Sequence, residues 1–384
     1  MSKRKIILID SFYLLVAQTG IKHTYNLLHK LEIEGSSDWD FVFMPSFHFA
    51  ERTGFFKGRT SKLRNWTFQM LYFAWKEIFL PLISVVNGAS VVICPDFLAP
   101  WIKFGVPYIP IVHDAFFWDN PEHYNAIWLR YFKSLFNAGL HGCPVMITQS
   151  AYSKRRIEQH ISPKSPVRVL YQGSELEYRG DSDEVEGVTL FGCLWKKYIL
   201  HVGVLERRKN LGTLIQAYSY LTNLRKNSGI KLMLAGQRGP RADLDDYDNL
   251  KRLNASEGVE EWISMPGYLS KENLESVYRG ALLYVLPSLD EGFGATLLEA
   301  FSYGIPVICS NAGALPEIGG NACLYFDPSN PRELAEKILM LLEDPQKMAT
   351  LASSGRERLE QFKFSVYYKD LQRILETVVQ GENI

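Results

Sequence analysis

The chain has 384 residues, its 42 Lys and Arg balance 42 Asp and Glu, and 47% of it is hydrophobic. That apolar content excludes global disorder, and at roughly 100–200 residues per domain the length implies two domains. The neutral balance argues against nucleic acid as the main partner, because such proteins usually carry a basic excess.

Ser2-Lys3-Arg4-Lys5 is basic, but only Ile6-Ile7-Leu8-Ile9 follows before Asp10. That run is too short for a signal peptide and predicts a buried strand. In Thr19-Gly20-Ile21 a glycine precedes the first helix, predicted over Lys22–Leu31. It is not a dinucleotide fingerprint. No GxGxxG, Walker A loop, HExxH or GxSxG occurs in the chain, so a dehydrogenase reading has no support. Arg59, Lys62 and Arg64 then lead into Trp66, Phe68, Tyr72, Phe73, Trp75 and Lys76. Two readings stand: an interfacial helix that reaches a lipid-linked acceptor, or a core helix whose aromatics line the first domain. Ile78 to Pro95 resembles a membrane span, but Pro81 and the turn signal Asn87-Gly88-Ala89-Ser90 split it into a helix end and a buried strand. His113 ends an apolar run, and Pro121-Glu122 starts a helix. A lone histidine is often structural, but the C-terminal end of a strand makes this one a candidate.

Short β-branched runs recur at Lys5–Asp10, Phe41–Met44, Ser90–Cys94, Tyr108–His113, Val145–Thr148 and Val167–Leu170. They recur again at Tyr198–Val202, Ile230–Ala235, Leu282–Leu286 and Val307–Cys309. Strands alternating with helical patterns predict parallel sheets covered on both faces. The acidic stretch from Gly173 to Lys196 reads as a linker. The five scattered cysteines form no CxxC pair and support neither a zinc site nor a disulfide framework. They read as reduced thiols of a cytoplasmic protein. In doubly wound sheets ligands sit beyond the C-terminal strand ends, so the chemistry is sought there.

Two segments stand out. In Leu286 to Ala300 a strand is followed by a loop with Gly292 and Gly294 and by a helix from about Gly294 to Tyr303. The free N–H groups and dipole of such a helix start form an anion site, and glycines admit a diphosphate closely. Glu291 and Glu299 stand eight apart and can reach one ligand. Glu299 has apolar neighbours, an unusual setting for a charge, and ribose hydroxyls would be a partner for it. The plain alternative is a solvated helix with two surface glutamates. In His201 to Asn210 a strand leads through Gly203 to Arg207-Arg208-Lys209, cations that suit a diphosphate or, alternatively, a solvated basic loop.

Together these residues resemble the retaining glycosyltransferases of family 4. The resemblance is carried by Gly203 to Leu211, by Glu291-Gly292-Phe293-Gly294 through Leu298-Glu299-Ala300, by Gly304-Ile305-Pro306-Val307-Ile308 and by Ala314-Leu315-Pro316-Glu317. It is dense over 198–345 and weaker before, through Gly20, His113 and Tyr171-Gln172-Gly173. It implies an α/β GT-B fold, two Rossmann-like doubly wound domains facing a central cleft. The implied division is an acceptor-binding domain 1–175, a linker 176–196, a nucleotide-sugar domain 197–364 and a helix 365–384 packing back on the first domain. By resemblance Arg208 and Lys209 bind the donor diphosphate, together with backbone N–H groups of Gly292, Phe293, Gly294, Ala295, Thr296 and Leu297. Glu299 holds the ribose, Tyr268 flanks the base and Gly20 lies near the phosphates. Glu291 and His113 are the catalytic candidates, at the donor sugar. Ala295-Thr296 and Tyr171-Gln172-Gly173 depart from the usual pattern and bear on donor shape.

The resemblance implies a retaining, metal-independent hexosyltransferase, with no cofactor beyond a UDP- or GDP-linked sugar as co-substrate. The acceptor would be a glycan or a lipid-linked oligosaccharide in polysaccharide biosynthesis. The expected location is the cytoplasm, with contact at the inner membrane face as an option. An epimerase or phosphorylase on the same scaffold, or an inactive glycan-binding module, are the competing readings.

Overall fold

The computed structural model describes residues 4–17, 19–35, 38–53, 62–161, 163, 165–173, 178, 188–190, 193–195, 198–224, 229–239 and 243–381. Arg59 and most of the acidic stretch lie outside them. The chain divides into two compact units, one of residues 1–173 with 364–384 and one of residues 174–363.

The first unit contains strands β1 (Lys5–Asp10), β2 (Trp39–Met44), β3 (Ala89–Cys94), β4 (Tyr108–Pro110), β5 (Met146–Thr148) and β6 (Val167–Val169). Four run in the order β2-β1-β3-β4, all parallel. A bridge from Ile111 to Ile147 continues them to the β5-β6 pair. Their apolar, β-branched sequences suit strands covered on both faces. The chain leaves β1 for β2 on one side and returns to β3 on the other, so the winding reverses between β1 and β3. The last helix, Phe364–Gln380, places Tyr367, Leu371, Leu375 and Val378 in the core with Ile7, Ile9 and Val91.

The first helix spans Thr19–Glu34, so Gly20 lies inside its first turn rather than ahead of it. A first-turn amide has no place in the helical ladder, and glycine costs least there. The aromatic segment forms one helix over 62–86 with a wide turn at Trp75–Phe79. There Leu80 N–H donates to Trp75 O, five residues back. Pro81, which has no N–H to donate, follows directly on this wide turn, and the helix continues through it to Val86. Phe68, Tyr72, Lys76, Leu80 and Ser84, every fourth residue, are buried. Trp66, Met70, Ile78, Leu82 and Val86 are exposed. The buried side matches the core-helix reading, and the opposite side is apolar and exposed. Leu63–Val86 is long and apolar enough to cross a membrane by length and composition.

Lys76 is buried between two carboxylates. It pairs with Asp10 and, at 2.7 Å, with Asp96 Oδ1, and donates to Leu98 O at 2.7 Å. Tyr72 donates to Asp96 Oδ2 at 2.7 Å and Trp75 Nε1 to Asp10 Oδ1 at 2.8 Å. Burial pushes Asp96 up to about 6, against the pull of Lys76.

In the second unit β7 (Val188–Leu190) and β8 (Cys193–Trp195) pair antiparallel. The main sheet holds β9 (Tyr198–Val202), β10 (Lys231–Ala235), β11 (Ile263–Gly267), β12 (Leu283–Leu286), β13 (Val307–Ser310) and β14 (Cys323–Phe326). Its order is β11-β10-β9-β12-β13-β14, parallel throughout. The winding reverses between β9 and β12. Helix Leu211–Leu224 contributes Leu214, Tyr218 and Leu221 to a core shared with Leu334, Ile338 and Leu341 of helix Pro331–Glu343.

Candidate functional site

Ligands of doubly wound sheets bind beyond the strand ends at the point of reversal. In the second unit that point is where β9 and β12 deliver the loops of Arg207–Asn210 and Pro287–Gly294. Leu289 N–H donates to Arg208 O at 2.9 Å, joining the two loops. Asn210, in the left-handed region with φ 55°, donates to Pro287 O at 3.1 Å and Pro328 O at 2.8 Å. Asparagine tolerates that conformation better than most residues.

The Glu291 carboxylate is buried among cations. Its Oε1 accepts from Lys209 Nζ at 2.6 Å and Ser288 Oγ at 2.8 Å, and its Oε2 from Arg208 Nη1 at 2.9 Å. Burial alone would raise its pKa. Lys209 and Arg208 outweigh that and hold the carboxyl well below the usual carboxylate range. Arg208 also donates to Asp290 O at 2.7 Å. The Arg208 side chain keeps 30% of its surface exposed, so two cations meet one carboxylate beside a partly open side chain. The Glu291 main chain is fixed too. Its carbonyl accepts from Ala314 N–H at 2.8 Å, and a Cβ on Gly313 (φ 61°) would lie 2.5 Å from Glu291 N. Glycine alone fits there.

Gly294, at φ 88°, precedes the helix Ala295–Ser302, and no side chain caps that helix. A Cβ on Gly294 would lie 2.7 Å from Leu315 Cδ2. Gly294 has no side chain to accept from the first-turn N–H groups of this helix. Phe293 is buried edge-on against Phe362, Leu297 is buried, and Thr296 bonds the Tyr284 hydroxyl. Their side chains build the loop, and Leu297 N–H donates to Gly294 O at 2.9 Å. One turn further, Glu299 Oε2 accepts from the Tyr278 hydroxyl at 2.6 Å. Burial raises Glu299 above the usual carboxylate range. Tyr278 also stacks on Tyr303 with centroids 5.1 Å apart.

The structure thus gathers Arg208, Lys209, Glu291 and the helix start, with Glu299 further along the same helix. Tyr268 stands elsewhere: it follows β11, two strands from β9, and is 78% exposed. Gly20 and His113 belong to the first unit. Gly20 is exposed, with nothing within 4 Å of a would-be Cβ. His113 is buried, its Nε2–H donating to Pro95 O at 2.7 Å and its Nδ1 accepting from Gln149 Nε2 at 2.6 Å. Burial lowers its pKa, so the ring is neutral near pH 7. Sequence reasoning missed Ser288, Tyr278 and the Gly313 turn. Ser288 and Gly313 lay within or beside motifs already singled out, whereas nothing local marked Tyr278. His201, at the end of β9, was not a candidate either. Its Nδ1–H donates to Val285 O at 2.9 Å, its buried Nε2 has no hydrogen-bond partner among the described residues, and burial lowers it to about 4. Among the described residues no group of three or more His, Cys, Asp or Glu side chains is placed to hold a metal ion.

The chain is 30% identical over 255 residues to the O-antigen chain mannosyltransferase B of Escherichia coli, which covers 66% of this chain and 65% of that protein. Residues 195–358, which contain the whole cluster above, match the family described as glycosyl transferases group 1. Over that segment the chain is similar to the group 1 glycosyl transferases.

Solved structures resemble this chain over its whole length. Sucrose-phosphate synthase from Thermosynechococcus elongatus superposes with a TM-score of 0.75 at 18% identity, covering 99% of this chain and 100% of that one. HepE of Anabaena, solved with UDP and glucose, gives 0.68 at 17% identity, covering 98% and 100%. At such identity the likeness concerns the fold, which is GT-B with two Rossmann-like units. The chain spans between 52% and 65% of the length of the first curated relatives it matches.

Proposed function

We propose that this chain transfers a hexose from a nucleoside-diphosphate sugar to a glycan or lipid-linked acceptor. The observation that carries this reading is the joining of Arg208, Lys209 and Glu291 beside an uncapped helix start, at the reversal point of the sheet and within the family segment. Arg208 and Lys209, with N–H groups from Gly292 to Leu297, take the diphosphate charge. Glu299 takes the ribose hydroxyls, Glu291 the sugar hydroxyls. Gly20, His113 and Tyr268 are proposed at the phosphates, the sugar and the base. Family resemblance supports retention at the sugar carbon. The bond from that carbon to the leaving phosphate breaks as the acceptor oxygen bonds to the same carbon, and the acceptor proton passes to a phosphate oxygen. No metal is required in this scheme.

Two relatives bear on the substrates: the bacterial mannosyltransferase acts in O-antigen synthesis by its name, and HepE was solved with UDP and glucose. They support a nucleoside-diphosphate hexose donor and a role in polysaccharide synthesis. The UDP- or GDP-linked donor and the cytoplasmic location are proposed on the family resemblance. The exposed apolar face of helix 62–86 supports peripheral membrane contact.

The test is transfer of radiolabelled sugar from UDP- and GDP-hexoses to added glycan and prenyl-phosphate-linked acceptors, with and without EDTA. Labelled acceptor with the anomeric configuration kept is the expected product. Epimerised donor, sugar 1-phosphate formed from a glycan with inorganic phosphate, or no turnover would each replace this reading by one of its competitors.

A further inference from the structure

The first unit has a pocket of its own, at the reversal point of its own sheet. Beyond the ends of β1 and β3 it lies among the rings of Tyr13, Tyr72, Phe97, Phe117, Trp128 and Phe132, encloses about 100 Å³ and opens to solvent on one side. Asp96, the one charged residue among those lining it, is occupied: Tyr72 donates to one of its oxygens and Lys76 to the other. Most of the remaining wall is rings and aliphatic carbons, which suit a hydrocarbon chain. Phe97 adopts φ 75°, a conformation that costs an L-residue about 1–3 kcal/mol. It sets the Phe97 ring against Phe117 and Phe132, with centroids 5.3 and 6.4 Å away.

The surroundings of the pocket point the same way. Gln69 and Tyr131, both exposed, line it from helices 62–86 and Ala126–Leu140. Gln69 is followed by exposed Met70 and lies one turn from exposed Trp66. Tyr131 lies one turn from exposed Ile127. A chain leaving the pocket between these helices therefore continues onto apolar surface.

We propose that this pocket binds the hydrocarbon chain, acyl or prenyl, of an amphipathic lipid, held by its tail. The pocket itself stands on geometry alone. Naming its ligand as the acceptor rests on the transferase reading.

The test uses the full chain without donor. Fluorescent cis-parinaric acid is titrated below its aggregation concentration, then displaced with farnesyl phosphate or with inorganic phosphate. Saturable one-to-one binding, displaced by farnesyl phosphate and not by phosphate, is expected. Gln69→Trp, at an exposed position, and Leu135→Trp, inside, should each weaken binding at least tenfold. Val86→Ser, exposed at the helix end, should change it less than twofold. Unsaturable binding, unchanged affinity in a folded Gln69→Trp protein, or a loss caused by Val86→Ser instead would overturn the proposal. Nucleotide-sugar binding is measured separately by thermal shift. If it fails while the fatty acid binds, the transferase reading falls and the pocket stands.

Discussion

Lys209 Nζ lies 2.6 Å from Glu291 Oε1 although 82 positions separate the two residues. With Arg208 at 2.9 Å on the other oxygen, the carboxylate holds both cations beyond the ends of β9 and β12 before any ligand arrives. Side chains fixed in advance lose little freedom on binding. Arg208→Ala and Lys209→Ala should each weaken nucleotide-sugar binding at least tenfold, about 1.4 kcal/mol, by isothermal titration. Wild-type affinity in both variants would remove these residues from the donor site.

Glu291 also gives the fold an acid limit. Its folded pKa is depressed below the unfolded value, so its contribution is complete at neutral pH and is lost as pH falls through the carboxylate range. Urea midpoints between pH 7 and pH 3 should fall less steeply for Glu291→Gln than for wild type. Equal slopes would show that the ion pairs do not stabilise the fold.

His201 adds a second pH dependence of the same sign. Its folded pKa of about 4 lies below its ordinary 6.5, so the unfolded chain binds the extra proton. Stability from this group is complete above about pH 7 and falls between pH 6.5 and 4, by about 3 kcal/mol at most. His201→Phe should flatten the thermal-denaturation profile across that interval.

Glu299 and Tyr278 can be separated by choice of ligand. Glu299→Gln should weaken binding of UDP or GDP while leaving inorganic pyrophosphate within twofold, because only the nucleotide carries a ribose. Tyr278→Phe removes the donor to a half-buried carboxylate, at a cost of about 1–2 kcal/mol in stability. A pyrophosphate affinity that drops with Glu299→Gln would contradict the ribose assignment.

Lys76→Met should destabilise the protein by about 3–5 kcal/mol, because it leaves Asp10 and Asp96 buried without their cation. Adding Asp10→Asn and Asp96→Asn should restore much of that loss. Chemical denaturation of the single and triple variants measures both.

What the sequence revealed tracks what is local. Lys5–Asp10 and Tyr198–Val202 are continuous apolar runs, and the strands occupy those residues. The strands at Ile263–Gly267 and Cys323–Phe326 were not foreseen, and both lie at edges of their sheet. Pro266 disguises the first, as proline is tolerated only at such margins. The second is four residues long and follows a glycine pair. Arg208, Lys209, Glu291 and Glu299 were legible one by one from the strand-loop-helix pattern. Their mutual pairing was not, since it depends on β9 lying beside β12. Lys76 looked like one more cation on an aromatic helix. Its partners lie 66 and 20 positions away, and only the meeting of β1 and β3 brings them to it.

Helix Phe364–Gln380 completes the core of a unit whose other part ends at residue 173. During synthesis, at about 5–20 residues per second, the intervening unit leaves the ribosome in one uninterrupted piece and is able to close first. The amino-terminal unit must wait, with the sites for Leu371 and Leu375 uncovered, until its last segment emerges. Nascent chains halted near residue 363 should therefore carry one protease-resistant body and one that is still open to chaperones.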